Sequence, residues 1–271
     1  MKYVVDHDYH IHSQLSLCSN DPGQTTAAIL QYAKDNGLSK IVVTDHFWDS
    51  TVPGASEWYE QQDYAHISKA LPLPQDPQVQ FLFGCETEMD QFLTIGLSPE
   101  IYEKFDFIIV PTTHLHMTNF TLDEKDFALD RRAERYVQRF HALLDADLPF
   151  GKVGIAHMTC GCIDDRNWEN HLDILDMISD QTFTAIFQKA SQKGLGIELN
   201  YYDFRDYKGN DLSRMLRPYK IAKQCGCKFY LGSDSHHPQD FIDAKQRAAD
   251  FVQLLQLEES DKFHITANRP M

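Results

Sequence analysis

The sequence lacks any long apolar run. No stretch of its 271 residues approaches the roughly 20 consecutive apolar residues that span a bilayer. Residues 1–6 (MKYVVD) also lack the apolar stretch and the cleavage pattern of a signal peptide. We therefore expect no membrane partner and a cytoplasmic location.

The cysteines lack the spacings of a disulfide framework or a zinc knuckle. The 6 cysteines include two Cys-x-Cys pairs but no Cys-x-x-Cys pair, and a chain of this length does not need disulfides for stability. We interpret Cys85, Cys225 and Cys227, which have apolar neighbours, as small buried thiols. Cys160 and Cys162 follow a histidine in a predicted loop, and for this pair a structural role and a place in a site stay equally open.

A basic run and a glycine-rich phosphate loop are also missing. Lys and Arg total 25 against 40 Asp and Glu, which gives a net charge of -15. A nucleic-acid backbone requires a Lys/Arg surface, so nucleic acid is disfavoured as a partner, whereas a small phosphorylated substrate is not. The oligomeric state stays open. Gly23 stands alone after the first predicted strand, which disfavours a doubly wound open sheet.

Short apolar runs alternate with helical patterns along the whole chain. The composition, 42% hydrophobic and 12% aromatic, supports a substantial core in one domain of residues 1–271. Strands are predicted at 3–8, 40–44, 79–85, 105–111, 152–156, 195–199 and 228–231, and helices at 25–36, 122–144, 172–193, 211–225 and 241–257. The gaps between strands are long enough for helical crossovers, which predicts a parallel α/β fold.

The segment of residues 48–76 contains prolines and several aromatic residues. It is too aromatic to be disordered, so we predict a long loop that contains a short helix. Such a loop above the ends of the strands would shape a pocket.

Metal-ligand residue types follow almost every predicted strand. If the first strand continues through His12, its period of two places His10 and His12 on one face, where two imidazoles can hold one ion. The later strands end in Asp45-His46, Glu86, His114, His157, Glu198 and Asp234-Ser235-His236. The carboxyl ends of parallel strands emerge on one face, so these residues are expected to converge on one site.

In this order the motifs resemble the polymerase and histidinol phosphatase (PHP) superfamily, and the resemblance runs from Asp8 to His236. It implies a distorted (β/α)7 TIM-like barrel of the PHP type. It also implies two or three divalent metal ions per chain and the hydrolysis of phosphoesters. Stand-alone members of this length include histidinol phosphatases, which act in histidine biosynthesis.

The resemblance also implies which residues bind each ion. The first ion takes His10, His12, Glu86 and Asp234, the second shares Glu86 and takes His114 and His157, and the third takes His46 and His236. Two carboxylates, Glu86 and Asp234, are the implied catalytic residues. Imidazole suits zinc, manganese and iron, so the ligand types do not select one metal.

The sequence departs from the family pattern at Cys18, where a further ligand to the third ion commonly sits. A thiolate is a good zinc ligand, which favours Cys18 as that ligand. The nearby Asp21 is an alternative. It also stays open whether the third ion binds weakly or is absent.

Other residues are expected to support the site. Carboxylates beside the imidazoles orient them by accepting their second N–H, and Asp8, Asp45 and Glu198 are placed to do so. Arg166 and Arg205 follow the fifth and sixth predicted strands and are the candidates for binding the substrate phosphate.

The predicted function is the metal-dependent hydrolysis of a small phosphomonoester, with L-histidinol phosphate as the leading substrate. Clustered cations lower the pKa of a bound water and generate hydroxide, so no protein nucleophile is required. The alternatives are a phosphoesterase for another sugar phosphate or nucleotide, and a non-catalytic metal-binding PHP domain.

Overall fold

Parallel strands form a barrel at the centre of the protein. The computed structural model describes residues 1–266 except 165, 168, 169, 202, 203, 205 and 206. The strands are β1 (His7–Ile11), β2 (Lys40–Val43), β3 (His46–Phe47), β4 (Gln80–Thr87), β5 (Phe107–Ile109), β6 (Val153–Ile155), β7 (Gly196–Asn200) and β8 (Lys228–Gly232). Each neighbouring pair is parallel.

The strand order nearly closes the sheet on itself. It runs β1-β2-β4-β5-β6-β7-β8, and the short β3 pairs with β4 beside this path. The last and first strands meet through two backbone hydrogen bonds, from Asp234 N to His10 O at 2.8 Å and from His12 N to Ser235 O at 2.9 Å. The predicted distorted barrel with seven parallel strands is therefore confirmed.

Helices surround the barrel. They are α1 (Thr26–Asn36), α2 (Glu57–Glu60), α3 (Tyr64–Ile67), α4 (Leu129–Asp145), α5 (Asn170–Asp176), α6 (Asp180–Lys193), α7 (Gly209–Gln224) and α8 (Ala244–Leu254). Among the described residues, none of these helices combines the length and the apolar character that a membrane crossing requires.

Several predicted element boundaries were wrong; the helix predicted from residue 122, for example, begins at Leu129. The first strand begins at His7 rather than at residue 3, because the preceding residues pair with the segment near Glu259 instead, and Val4 N donates to Glu259 Oε2. The helix predicted over 172–193 is two helices, because Ser179 interrupts it. The Ser179 hydroxyl accepts the backbone N–H of Thr182 at 3.1 Å and so begins α6 as its N-cap.

The inside of the barrel is filled by a small apolar cluster of Tyr9, Val42, Phe107, Ile109, Ala156, Tyr230 and Phe263. Gly154 on β6 provides the room for two of these rings. A Cβ atom at Gly154 would lie 2.5 Å from Tyr230 Cε1 and 2.7 Å from Phe107 Cζ. The barrel is thus a packed core below the strand ends, and the space for a ligand lies above it.

We predict that Gly154→Ala destabilises the protein, because the new methyl group overlaps the Tyr230 ring inside a closed barrel. The free energy of unfolding should fall by about 1–3 kcal/mol, as measured by urea denaturation. Tyr230→Leu removes the overlapping ring atoms. The double variant should therefore lose less free energy of unfolding than the two single variants lose together. Strictly additive losses would contradict this account of Gly154.

Candidate metal centre

Histidines and carboxylates converge at the carboxyl ends of the strands. His10 lies near the end of β1, Glu86 near the end of β4, and His157 and Asp234 each lie two residues after the last residue of β6 and β8. Within the described residues, three groups hold their ligand atoms within 4.8 Å of one another: His10, His12 and Asp234; Glu86, His114 and His157; and His12, Cys18, His46 and His236. All of the residues predicted as ligands therefore meet at one end of the barrel.

The first group is built on the His10 and His12 pair. Their Nε2 atoms lie 3.1 Å apart, and each lies within 3.4 Å of a Glu86 and an Asp234 carboxylate oxygen. An irregularity in β1 helps to aim these rings: Asp8 pairs with Ile41 and Ile11 with Val43, so β1 has one extra residue.

The hydrogen bonds of the first group fix which imidazole nitrogen carries the proton. His10 Nδ1 donates to Glu198 Oε1 at 2.7 Å, and His12 Nδ1 donates to the Ser16 hydroxyl at 2.9 Å. In the neutral rings the two facing Nε2 atoms are therefore bare lone pairs. Two bare nitrogens and two carboxylates in van der Waals contact repel one another, and a divalent cation between them removes that repulsion. The residues present thus fit a metal ion.

The second group shares its carboxylate with the first. Glu86 Oε1 lies 3.3 Å from His157 Nε2, while the other oxygen of the same carboxylate faces His10 and His12. His157 Nδ1 contacts the Thr113 hydroxyl at 2.7 Å, and His114 Nδ1 donates to Glu88 at 2.7 Å. One carboxylate placed between two groups suits a bridging ligand.

The third group contains the residue that departs from the family pattern. Cys18 is exposed at the rim of the site, and its sulfur lies within 4.8 Å of the His12, His46 and His236 ligand atoms. His46 Nδ1 is buried and makes no hydrogen bond among the described residues, although it lies 3.2 Å from Glu86 Oε2; a nitrogen beside a carboxylate but not bonded to it fits a ligand to a cation. Asp21 instead contacts His237 at 3.3 Å and belongs to none of the three groups.

The local electrostatics also favour bound cations. Burial alone would raise the pKa values of Glu86 and Asp234, but the facing imidazoles hold both well below their usual range. Burial, followed by the charge of His12, lowers the pKa of His236 to about 4. Desolvation, followed by the charges of Glu86 and Asp234, raises the pKa of the Cys18 thiol. A metal is therefore needed to deprotonate that thiol near neutral pH.

The three predicted supporting carboxylates lie behind the imidazoles. Glu198 accepts from His10 Nδ1 and from His157 N at 2.5 Å. Asp45 acts on His12 indirectly, because it accepts the Ser16 hydroxyl at 2.8 Å. Asp8 is one step further away and accepts from the Tyr201 hydroxyl at 2.7 Å and from Ser233 N at 3.0 Å.

The sequence analysis missed a fourth supporting carboxylate, Glu88. Its side chain is fully buried, accepts from His114 Nδ1 and receives the Arg139 guanidinium at 2.5 Å. Arg139 also donates to the carbonyl oxygens of Met89 and Thr112, and so joins α4 to the ends of β4 and β5. The sequence did contain a signal for this role. Glu88 lies two residues after Glu86, and an extended chain places both side chains on one face.

Arg166, one of the two predicted phosphate-binding arginines, is not seen against the ligand groups. Arg166 forms an ion pair with Asp164 at 2.8 Å and donates to Phe127 O at 2.8 Å. It is not among the described residues that line the cavity above the ligands. Arg205 lies outside the described residues. A role in substrate binding stays a prediction for both.

Two ligand candidates have strained backbones. His157 has a φ of 27° and Asp234 has a φ of 53°, in the left-handed region that non-glycine residues rarely adopt. Such conformations cost about 1–3 kcal/mol each and persist where the surroundings enforce them. Here each lies two residues after the end of a strand, where the turn aims the side chain back over the barrel.

We predict that Glu88→Gln weakens metal binding by the group of Glu86, His114 and His157. The amide keeps the size of the side chain but removes the charge that orients the His114 ring, and losses of this kind are roughly 10–100-fold in metal affinity. Titration of the folded, metal-free protein with metal measures this affinity. Glu134→Gln is the matched control, because Glu134 forms only a surface pair with Arg131. Equal affinities in both variants would contradict this role.

Comparison with known proteins agrees with the fold and the motifs. A family model described as the PHP domain matches residues 8–264, whereas no curated protein matches the chain significantly. A solved structure of histidinol phosphate phosphatase from Lactococcus lactis, in complex with zinc, L-histidinol and phosphate, is 16% identical, with a TM-score of 0.56 over 96% of this chain and 98% of that one. A candidate histidinol phosphatase from Listeria monocytogenes is 14% identical, with a TM-score of 0.59 over 87% and 97% of the two chains.

At these identities the likeness to the two structures concerns the fold, whereas the family model spans nearly the whole chain and includes every predicted ligand. The match and the three ligand groups indicate a metal-dependent phosphatase. The chain belongs to the PHP domain family, as its ordered motifs predicted.

Proposed function

We propose that the protein hydrolyses a small phosphomonoester and that the three ligand groups form its active site. The observation that carries this proposal is that members of all three groups, including Asp234 of the first, line one cavity of about 590 Å³. That volume suits a small organic phosphate. L-histidinol phosphate is the leading candidate, and the 16% identical Lactococcus lactis protein was solved with its two hydrolysis products, L-histidinol and phosphate.

The arrangement of ligands supports a site that acts on one phosphoryl group. Glu86 belongs to the second group and also contacts the first, while His12 belongs to both the first and the third. When bound, divalent cations would lower the pKa of a water and offset the charge of the phosphoryl oxygens. The supporting residues keep each imidazole nitrogen aimed at the shared space. His10 and His12 therefore do not reorganise when substrate binds.

The donor set favours zinc at the third group, because Cys18 offers a soft thiolate there. The first and second groups contain only imidazoles and carboxylates, which also suit manganese and iron. We propose two or three ions per chain. Arg166 and Arg205 are retained as proposed phosphate ligands, and Arg166 would first have to leave Asp164.

Two other functions compete with this proposal. A phosphoesterase for another sugar phosphate or a nucleotide would use the same metal site and differ only in the leaving group. A non-catalytic metal-binding domain would not require a cavity beside the ligands, and the completeness of the three groups favours an enzyme. Phosphate release from a panel of phosphomonoesters, with zinc, manganese or iron added, separates these functions. No release from any ester by the metal-loaded protein would overturn the proposal.

We predict that Glu86→Ala loses both bound metal and phosphatase activity, because one carboxylate faces two ligand groups. Elemental analysis should show fewer ions per chain, and turnover should fall by at least about 100-fold, as expected when metal-based stabilisation of the transition state is lost. Glu134→Ala at the surface is the control for the loss of one glutamate. Full metal content together with normal turnover in Glu86→Ala would remove Glu86 from the site.

We predict that Cys18→Ser lowers the occupancy of one zinc ion, because a hydroxyl is a much poorer zinc ligand than a thiolate. The remaining ions and the fold should persist. In the zinc-loaded protein Cys18 should resist alkylation and chelation should expose it, whereas Cys225, which is outside the ligand groups, should react equally in both states. Unchanged zinc content in Cys18→Ser would identify Cys18 as a bystander.

A further inference from the structure

Two chemically different surfaces dominate the cavity above the ligand groups, which is also lined by Ser56, His116, Thr118, Cys160 and Cys162. One side is formed by the histidines and carboxylates of the metal centre. The other carries Trp58, Tyr59, Met117 and Phe120, which we call the apolar wall. The predicted loop over 48–76 supplies the two aromatic residues of α2 to this wall, as its composition suggested.

The apolar wall is part of a compact aromatic cluster that is separate from the main core. Trp48, Tyr59 and Phe120 are its buried members, and Trp58 and Met117 are partly exposed. The Tyr59 ring lies 4.7 Å from Trp58 and 5.3 Å from Phe120, centroid to centroid. The wall is therefore held by packing from behind and presents a fixed surface to the cavity.

The wall touches the metal centre at His46. The His46 ring meets the Trp58 ring edge-on with centroids 5.1 Å apart, and His46 belongs to the third ligand group. The Tyr59 hydroxyl of the same wall donates to Glu88 Oε2 at 3.5 Å, and Glu88 in turn accepts from His114 of the second group. A phosphoryl group held by the ligand groups therefore has the apolar wall as its immediate neighbour.

This neighbour determines what kind of leaving group the cavity stabilises. An aromatic ring placed on Trp58 and Met117 gains apolar burial and ring contacts. A polyhydroxylated leaving group would lose water from its hydroxyls against the same atoms without new hydrogen bonds, which costs free energy. The metal side is the same for every phosphomonoester, so discrimination between two such substrates falls on the rest of the cavity, and the wall is its apolar part.

We propose that the apolar wall is the leaving-group subsite and that it selects phosphomonoesters with an aromatic ring over polyhydroxylated sugar phosphates. The inference rests on the proposed phosphatase function and narrows its substrate class. Trp58 and Met117 are the specificity-determining residues, since they are the wall members with exposed surface toward the cavity.

The test uses two primary alkyl phosphates, 2-phenylethyl phosphate and glycerol 1-phosphate, and the metal-loaded protein. The wild type should prefer 2-phenylethyl phosphate by roughly tenfold or more in kcat/KM, the size of selectivity that apolar contacts provide. Trp58→Ala and Met117→Ala should each lower kcat/KM for the phenylethyl ester by roughly tenfold while changing that for the glycerol ester by less than about twofold.

Met177→Ala is the matched control, because Met177 is 52% exposed and is not among the described residues that line this cavity. Its two kcat/KM values should equal those of the wild type. Equal kcat/KM for both esters in the wild type, or parallel losses on both esters in Trp58→Ala and Met117→Ala, would overturn the role of the wall and leave the phosphatase function standing.

A binding measurement separates failure of the inference from failure of the function. The non-hydrolysable analogue 3-phenylpropylphosphonate should bind the metal-loaded wild type and bind roughly tenfold more weakly to Trp58→Ala by calorimetry. If the analogue binds in a way that depends on Trp58 but neither ester is hydrolysed, the phosphatase function is overturned and the wall is supported as a ligand subsite. Equal binding to the wild type and Trp58→Ala would overturn the subsite.

Discussion

The buried carboxylate of Glu86 is the contact on which the rest of the site depends. Its oxygens lie within 3.4 Å of nitrogen atoms of His10, His12, His46 and His157. A carboxylate and several imidazoles removed from water are costly unless cations or protons compensate them. The fold supplies this cluster from several strands at once. Divalent metal ions then account for why so many polar groups are tolerated at the end of an apolar barrel.

The residues around Glu86 hold the imidazoles of the cluster in place. Gly232 on β8 has no side chain, and a Cβ atom there would lie 1.9 Å from Glu198 Oε1. That space lets Glu198 reach both His10 and the backbone of His157. On the other side of the site the buried pair of Arg139 and Glu88 orients His114. The Nδ1 atoms of His10 and His114 are thereby engaged, and the opposite nitrogen of each ring remains available to a metal.

The same end of the barrel brings together two surfaces with different chemistry. In the function proposed above, the ligand groups bind what every phosphomonoester shares, whereas the apolar wall contacts what varies between them. His46 belongs to the metal centre and its ring meets the Trp58 ring edge-on, so the two surfaces adjoin at this residue.

The sequence by itself determined the fold class and the set of metal-ligand residue types, because the alternation of apolar runs with helical patterns is local and each run ends in a histidine or a carboxylate. Only the tertiary structure decided how these residues are grouped. His12 faces two groups, and Cys18 rather than Asp21 lies among the imidazoles. Glu88 gains its role from Arg139, which is 51 residues away. Distances between residues far apart in the chain depend on barrel closure, an extra residue in β1 and left-handed turns at His157 and Asp234, and no local pattern encodes them.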